Sequence, residues 1–282
     1  MIPKSKFLRQ SHEFWANVKL ISQEIGYTDR KSSDIKIPTL EEIQATYSKL
    51  SLDPKRIIIN KKLTKFGKLL TDYFDYRSRI LSEFAQNNLM DRKEAQKLYS
   101  KLKKELAPKC PLPMNKQKGA KRKPAYYTCI VNMLIEKYSN GLECDYEPKK
   151  LTAFTKNKFP VYSLSRRIDG AFPRAINPIA IWEIKEYYHT TTFGSRVADA
   201  VYETLLDGYE LNEFWSKSKV KVKHYLMIDD YFTWWTLGKS YLCRICDLLH
   251  MGFITEVFFG KEVVERIPII IPEWIKQLEK SN

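Results

Sequence analysis

Three side chains in the C-terminal half have the types and spacing for metal-assisted chemistry. Asp169 closes the run Ser165-Arg166-Arg167-Ile168-Asp169, and Glu183 and Lys185 lie in Ile179-Ala180-Ile181-Trp182-Glu183-Ile184-Lys185. Read with a period of two, Ile179, Ile181, Glu183 and Lys185 share one face of a strand, and Ala180, Trp182 and Ile184 share the other. The segment between, with Pro173 and Asn177-Pro178, carries turn chemistry, so the spacing predicts a hairpin that sets Asp169 beside Glu183. Two carboxylates and an ammonium at the end of a buried hairpin are costly to desolvate without a partner. A hard divalent cation such as Mg²⁺ would be that partner, because it takes carboxylate oxygens and keeps waters. The apolar residues around the acid-x-lysine mark an interior strand, where lone charges are rare, rather than a solvated strand end with a cross-strand ion pair.

This arrangement resembles the PD-(D/E)xK nuclease motif, over residues 160 to 260. The resemblance implies that Asp169 and Glu183 hold one or two Mg²⁺ ions and that Lys185 positions or deprotonates the attacking water. Ile168 stands where that family usually has the Pro before its Asp. A Glu from a preceding helix often joins the metal site there, and Glu136 is the best-placed match, with Glu143, Asp145 and Glu147 as competitors. The activity implied is Mg²⁺-dependent, site-specific cleavage of double-stranded DNA. The form expected is a type II restriction enzyme acting as a homodimer, with a cognate DNA methyltransferase in the same system but not as a stable partner. The rival readings are a repair, junction-resolving or transposon-associated nuclease of the same fold, and a non-catalytic nucleic-acid-binding protein.

The elements that must position these residues follow from the hydrophobic spacing. Phe14, Val18, Ile21 and Ile25 predict a first helix, and Thr39 with Glu42 forms a helix-start signature. Leu63 to Phe84 and Asp91 to Leu106 read as two further helices, and Ala125 to Tyr138 as another. After the hairpin, Thr192 or Ser195 can cap a helix in which Val197, Val201 and Leu205 face the sheet and Arg196, Asp199 and Glu203 face away. Val220–Ile228 predicts a third strand, followed by a helix from Thr233 to His250, a strand from Phe253 to Phe259 and a closing helix begun at Pro272. The fold class expected is α/β (α+β), a restriction-endonuclease-like mixed sheet flanked by helices behind a mostly helical, basic N-terminal portion.

Charge divides the chain. Of the formal +15, all falls in the first 123 residues, which hold 28 Lys plus Arg against 13 Asp plus Glu; the remainder holds 20 against 20. A basic excess draws polyanions in a salt-dependent, sequence-independent way. A helical basic portion is therefore expected over residues 1–110, a Pro-rich basic loop over 111–124 and the nuclease core over 125–282. Lys118, Lys121, Arg122 and Lys123 in the loop, and Arg196 at the start of the helix after the motif, are the candidate nucleic-acid contacts. His189, just past the motif strand, either faces substrate or caps the strand end.

No apolar run approaches the ~20 residues of a spanning helix, and Met1 to Gln10 lacks the apolar core of a signal peptide. An odd set of five cysteines without framework spacing fits a reducing, cytoplasmic setting. Cys243 and Cys246 are spaced as CxxC but sit in a helical pattern without further ligands, so they are expected to face the core. Phosphate-loop, nucleophile-elbow, HExxH and dinucleotide fingerprints are absent from the sequence.

Overall fold

The computed structural model describes residues 1–29, 31–119, 122–189 and 194–281. The N-terminal helices are α1 (His12–Ile25), α2 (Leu40–Lys49) and α3 (Lys65–Ile80), with the short strands β1 (Ile58–Ile59) and β2 (Lys62–Leu63) between the last two. Their amphipathic faces meet in one cluster of Phe14, Trp15, Val18, Ile21, Tyr73 and Phe74. Thr39 caps α2 in a reciprocal arrangement with Glu42, as the spacing predicts. A π-helical turn at Leu81–Ala85 and the short α4 (Gln86–Asn88) lead to α5 (Arg92–Leu106), capped by Asp91, and then to α6 (Tyr126–Tyr138).

Five strands form the main sheet: β3 (Asp145–Tyr146), β6 (Gly170–Phe172), β7 (Ala180–Glu186), β8 (Lys223–Asp229) and β9 (Glu256–Phe259), in that spatial order. A separate hairpin, β4 (Ala153–Lys156) with β5 (Phe159–Ser163), precedes β6. The first two pairings of the main sheet are antiparallel and the last two parallel. The crossovers are α7 (Ser195–Ser218) between β7 and β8, and α8 (Lys239–Met251), entered through a π-helical turn, between β8 and β9. The coarse expectation of a mixed α/β sheet flanked by helices therefore holds.

Each face of the sheet has its own core. Trp182, Tyr225, Met227 and Phe258 pack against α6 and the final helix α9 (Val263–Ser281). Leu226, Ile228, Val257 and Phe259 pack against α7 and α8, and α8 buries Cys243 and Cys246 as its spacing predicts. Helix α9 starts at Val263 rather than at the expected Pro272, and carries Pro268 and Pro272 within it. Ile267, Ile270, Ile271 and Trp274 are all buried at helical spacing, so burying that stripe outweighs the hydrogen bonds the prolines remove.

The division of the chain differs from a break at 111–124. Ala95, Tyr99 and Leu102 of α5 share a core with α6 and the sheet, not with the N-terminal helices. What ties those helices to the sheet layer is a buried ion pair. Arg77 Nη1 lies 3.1 Å from Asp247 Oδ1 on α8, Tyr73 Oη donates to the same oxygen at 2.6 Å, and Arg77 Nη2 donates to Ser22 Oγ at 3.1 Å.

Gly170 fixes how closely β6 approaches β7. A Cβ at this position would fall 2.1 Å from the indole of Trp182, a side chain with no exposed surface and no room to move. Gly170→Ala is expected to cost ~1–3 kcal/mol of stability, the usual penalty for overpacking a tight core. Urea unfolding checks this, and a cost below ~0.5 kcal/mol would show that the hairpin yields at Trp182.

Candidate active site

The hairpin brings Asp169, Glu183 and Lys185 together. With Gly170 paired to Trp182 in the register, the residue before β6 falls opposite Glu183. Asp169 N–H donates to Glu183 Oε1 at 3.2 Å, and Ile184 N–H donates to Asp169 Oδ2 at 2.8 Å. Lys185 Nζ lies 2.8 Å from Glu183 Oε2. Glu183 has no exposed surface, whereas Asp169 and Lys185 are half-buried.

Three further side chains complete the cluster, and sequence reasoning missed all of them. Arg166 lies 2.9 Å from Glu183 Oε1, 2.7 Å from Asp207 Oδ2 and 3.2 Å from Glu203 Oε2. Lys185 Nζ also reaches Glu203 Oε2 at 2.7 Å. The expectation that Glu203 faces away from the sheet is corrected by these contacts. Val197 and Val201 do bury on the sheet, but the flank of α7 beside that stripe faces the segment leading into β6. Tyr162 Oη donates to Glu213, Ser165 N–H to Glu210, and Arg166 to Asp207 and Glu203. These acids form one ridge at helical spacing. The nearest signal in the sequence was the pair Glu203 and Asp207, four apart on the helix that follows the motif strand.

Four carboxylates facing two cations leave a local excess of negative charge. Burial, then the charge of Glu183, raises the Asp169 carboxyl to about 7. The same two causes in the same order raise Asp207 to about 7, and its buried Oδ1 has no hydrogen-bond partner among the described residues. Glu183 goes the other way: burial alone would raise it, but Lys185 and Arg166 together pull it below its ordinary value. Burial opposes the charge on Lys185 and Arg166, yet the surrounding carboxylates overcome it and raise both.

Glu136 is not part of this cluster. It stands in the C-terminal half of α6, where its carboxylate accepts Lys109 N–H at 3.0 Å. The other end of α6 meets the motif strand: Glu186 accepts Tyr127 N–H at 2.9 Å and Thr128 Oγ1–H at 3.0 Å. Eight residues from Thr128, Glu136 is about 12 Å further along the helix axis. Glu143 pairs with Arg174, Asp145 accepts Ala175 N–H at 2.7 Å, and Glu147 pairs with Lys149. Of these competitors, only Glu147 touches Asp169, through a backbone bond to its carbonyl at 2.8 Å.

Lys118, Arg122 and Lys123 are exposed on a loop whose neck is closed by Asn115 N–H to Lys123 O at 2.8 Å and Ala125 N–H to Pro113 O at 2.9 Å. The loop runs directly into the end of α6 that Glu186 caps, so it sits at the same sheet edge as the motif. Lys121 lies outside the described residues, as does Thr192. Gly194 is the residue before α7 and no side chain caps it, so Ser195 belongs to the helix rather than to its cap. Arg196 is exposed in the first turn, with its carbonyl accepting Tyr187 Oη–H at 3.0 Å. His189 is half-buried with its ring near that of Tyr126, and burial, then Arg92 and Lys123, lowers its pKa.

Among the described residues, no group of three or more His, Cys, Asp or Glu is arranged as a ready metal-ligand set, and no helix is long and apolar enough to cross a membrane. Residues 90–274 match the model of a family described as a domain of unknown function (DUF7687), and residues 1–84 match a second described in the same terms (DUF7690). The two matches meet between α3 and α5, where the packing also changes core. No curated protein and no solved structure matches the chain.

The raised Asp169 carboxyl sets a pH dependence. Its folded pKa of about 7 exceeds the ordinary 3.8, so the folded chain binds this proton more tightly. Ionisation then costs stability progressively between those two pH values, costs nothing below them, and imposes a constant penalty above. Asp169→Asn removes the titration while keeping an acceptor for Ile184 N–H. Its stability relative to the parent should therefore rise from pH ~4 to ~7 and then level off. Urea unfolding across that range reads the difference, and a pH-independent difference would show that Asp169 ionises normally.

Proposed function

We propose that this chain, which belongs to the family described as a domain of unknown function (DUF7687), is a Mg²⁺-dependent endonuclease that hydrolyses phosphodiester bonds in double-stranded DNA. The observation that carries the reading is the contact of Asp169 with Glu183 across the hairpin, with Lys185 on the same face. The order of elements supports it: an antiparallel hairpin, a helical crossover and a parallel strand agree with the core that the PD-(D/E)xK resemblance implies. Site-specific cutting as a homodimer, with a separate methyltransferase protecting the target, belongs to the same proposal.

The donor set fits the cation. Mg²⁺ is commonly held by one or two carboxylates, with waters and substrate phosphates filling the remaining positions. Asp169 and Glu183 are two carboxyl groups in direct contact, and the raised Asp169 carboxyl marks a place short of positive charge. When bound, the cation supplies positive charge beside the scissile phosphate and eases deprotonation of the attacking water. Lys185 stays protonated between Glu183 and Glu203. It therefore acts as a fixed donor that orients water or stabilises charge on the phosphate, not as the base. Arg166 holds Glu183 and Asp207 in place. The loop carrying Lys118, Arg122 and Lys123, with Arg196 at the start of α7, supplies contacts to the backbone phosphates.

One observation favours a structural ion network in a non-cutting nucleic-acid-binding protein: both oxygens of Glu183 already have cationic partners. Cleavage of plasmid DNA with and without Mg²⁺ separates the readings. Asp169→Ala and Glu183→Ala should abolish cleavage, and Lys185→Ala should slow it by ~10²–10³-fold, each with DNA binding retained. Full activity in either carboxylate variant would exclude the assignment, and a smear instead of discrete bands would exclude site-specific cutting. Neutralising Lys118, Lys121, Arg122 and Lys123 together should weaken binding to every sequence. The slope of log affinity against log salt should flatten by ~0.9 for each phosphate no longer neutralised; an unchanged slope would make the loop a linker only.

A further inference from the structure

A second polar enclosure lies under the far end of α7, away from the carboxylate cluster. It is a cavity of about 40 Å³ between the C-terminal half of α7, the start of β8, the link from α8 to β9, and Arg9 of the N-terminal segment. By the volume a water needs, it holds roughly three water-sized positions. Its polar lining is Arg9, Lys221, His224, Asn212 and Thr255, and no carboxylate contributes to it.

The floor is an imidazole with an unmet hydrogen bond. His224 is 2% exposed, and its Nδ1 lies 2.8 Å from the carbonyl oxygen of Phe253. A carbonyl only accepts, so Nδ1 carries the proton of that bond. Nε2 is buried with no hydrogen-bond partner among the described residues, an arrangement that costs free energy unless something in the cavity answers it.

The mouth is cationic. Arg9 and Lys221 are both exposed. Arg9 stacks its guanidinium over Trp215 at 5.6 Å instead of pairing with an acid. Its backbone is pinned, with Arg9 N–H donating to His250 O at 2.8 Å. Lys221 feels Lys223 and Arg9 as its neighbouring charges, and no acid balances them.

Two cations, a buried ring nitrogen without a partner, two neutral polar side chains and no carboxylate together favour a compact anion over a water cluster or a cation. We infer that this cavity binds a small tetrahedral oxyanion: inorganic phosphate, or the terminal phosphoryl group of a nucleic acid or nucleotide. The anion accepts from Arg9 and Lys221, and from His224 Nε2 once that nitrogen carries a proton. Because Arg9 belongs to the segment matched by the N-terminal family and His224 to the sheet, occupancy clamps the two parts of the chain together.

Equilibrium dialysis of the full chain against radiolabelled phosphate, at ionic strength held constant with chloride, tests the inference. One saturable site per chain is expected, together with a rise in the thermal midpoint and a phosphate-dependent change in the ¹⁵N shift of His224 Nε2. Arg9→Met with Lys221→Met, both at exposed positions, should weaken binding by about tenfold or more, with circular dichroism unchanged. A 5′-phosphorylated dinucleotide that displaces phosphate where its 5′-hydroxyl counterpart does not assigns the site to a terminal phosphoryl group; failure of both to displace assigns it to the free ion. No saturable binding up to roughly 10 mM phosphate, or equal binding by the double variant, would overturn the inference.

Discussion

The burial of the Glu183 carboxylate is the constraint around which this half of the molecule is organised. A carboxylate without exposed surface is tolerated only when its oxygens are met by charge and by hydrogen bonds. Here Lys185 comes from the same strand, the Asp169 N–H from its hairpin partner, and Arg166 from the segment ahead of that hairpin. Three stretches of chain are thereby held to one side chain. Removing either cation would leave an uncompensated buried charge, a loss on the order of 3–5 kcal/mol.

Satisfying Glu183 creates a second problem, because Arg166 and Lys185 are shared with Glu203 and Asp207. Two cations among four carboxyl groups cannot neutralise them all. The shortfall falls on Asp169 and Asp207, whose carboxyls are both raised to about 7. On the other side of the same strand, Glu186 has no cation either and is met by the free N–H groups at the start of α6. That cap carries the basic loop to the edge of the carboxylate cluster. The strand thus sets two things at once: a place short of positive charge, and a positively charged surface beside it.

How much of this was legible in the sequence depends on whether the contact was local. The strand period gave the shared face of Glu183 and Lys185, and the Pro and Asn residues of the turn gave the hairpin that adds Asp169. Arg166, Glu203 and Asp207 were illegible because their meeting depends on how α7 lies across the sheet. The Val197 and Val201 stripe fixes which face of α7 is buried, but not which of its flanks abuts the 162–166 segment. Glu136 was misplaced for a related reason: helical spacing says nothing about which end of α6 docks on β7. The late start expected for α9 came from reading Pro272 as a boundary, when the buried isoleucines on the opposite side of that helix decide it.

The central claim is that Asp169 and Glu183 together hold a divalent cation. Mn²⁺ binding followed by electron paramagnetic resonance, with a short DNA duplex present, tests it without depending on turnover. The parent chain should bind Mn²⁺ saturably and in competition with Mg²⁺, and Asp169→Asn should lose that binding while still holding the duplex. Equal Mn²⁺ binding by the two proteins, or none by the parent, would contradict the claim and leave the cluster as a structural ion network.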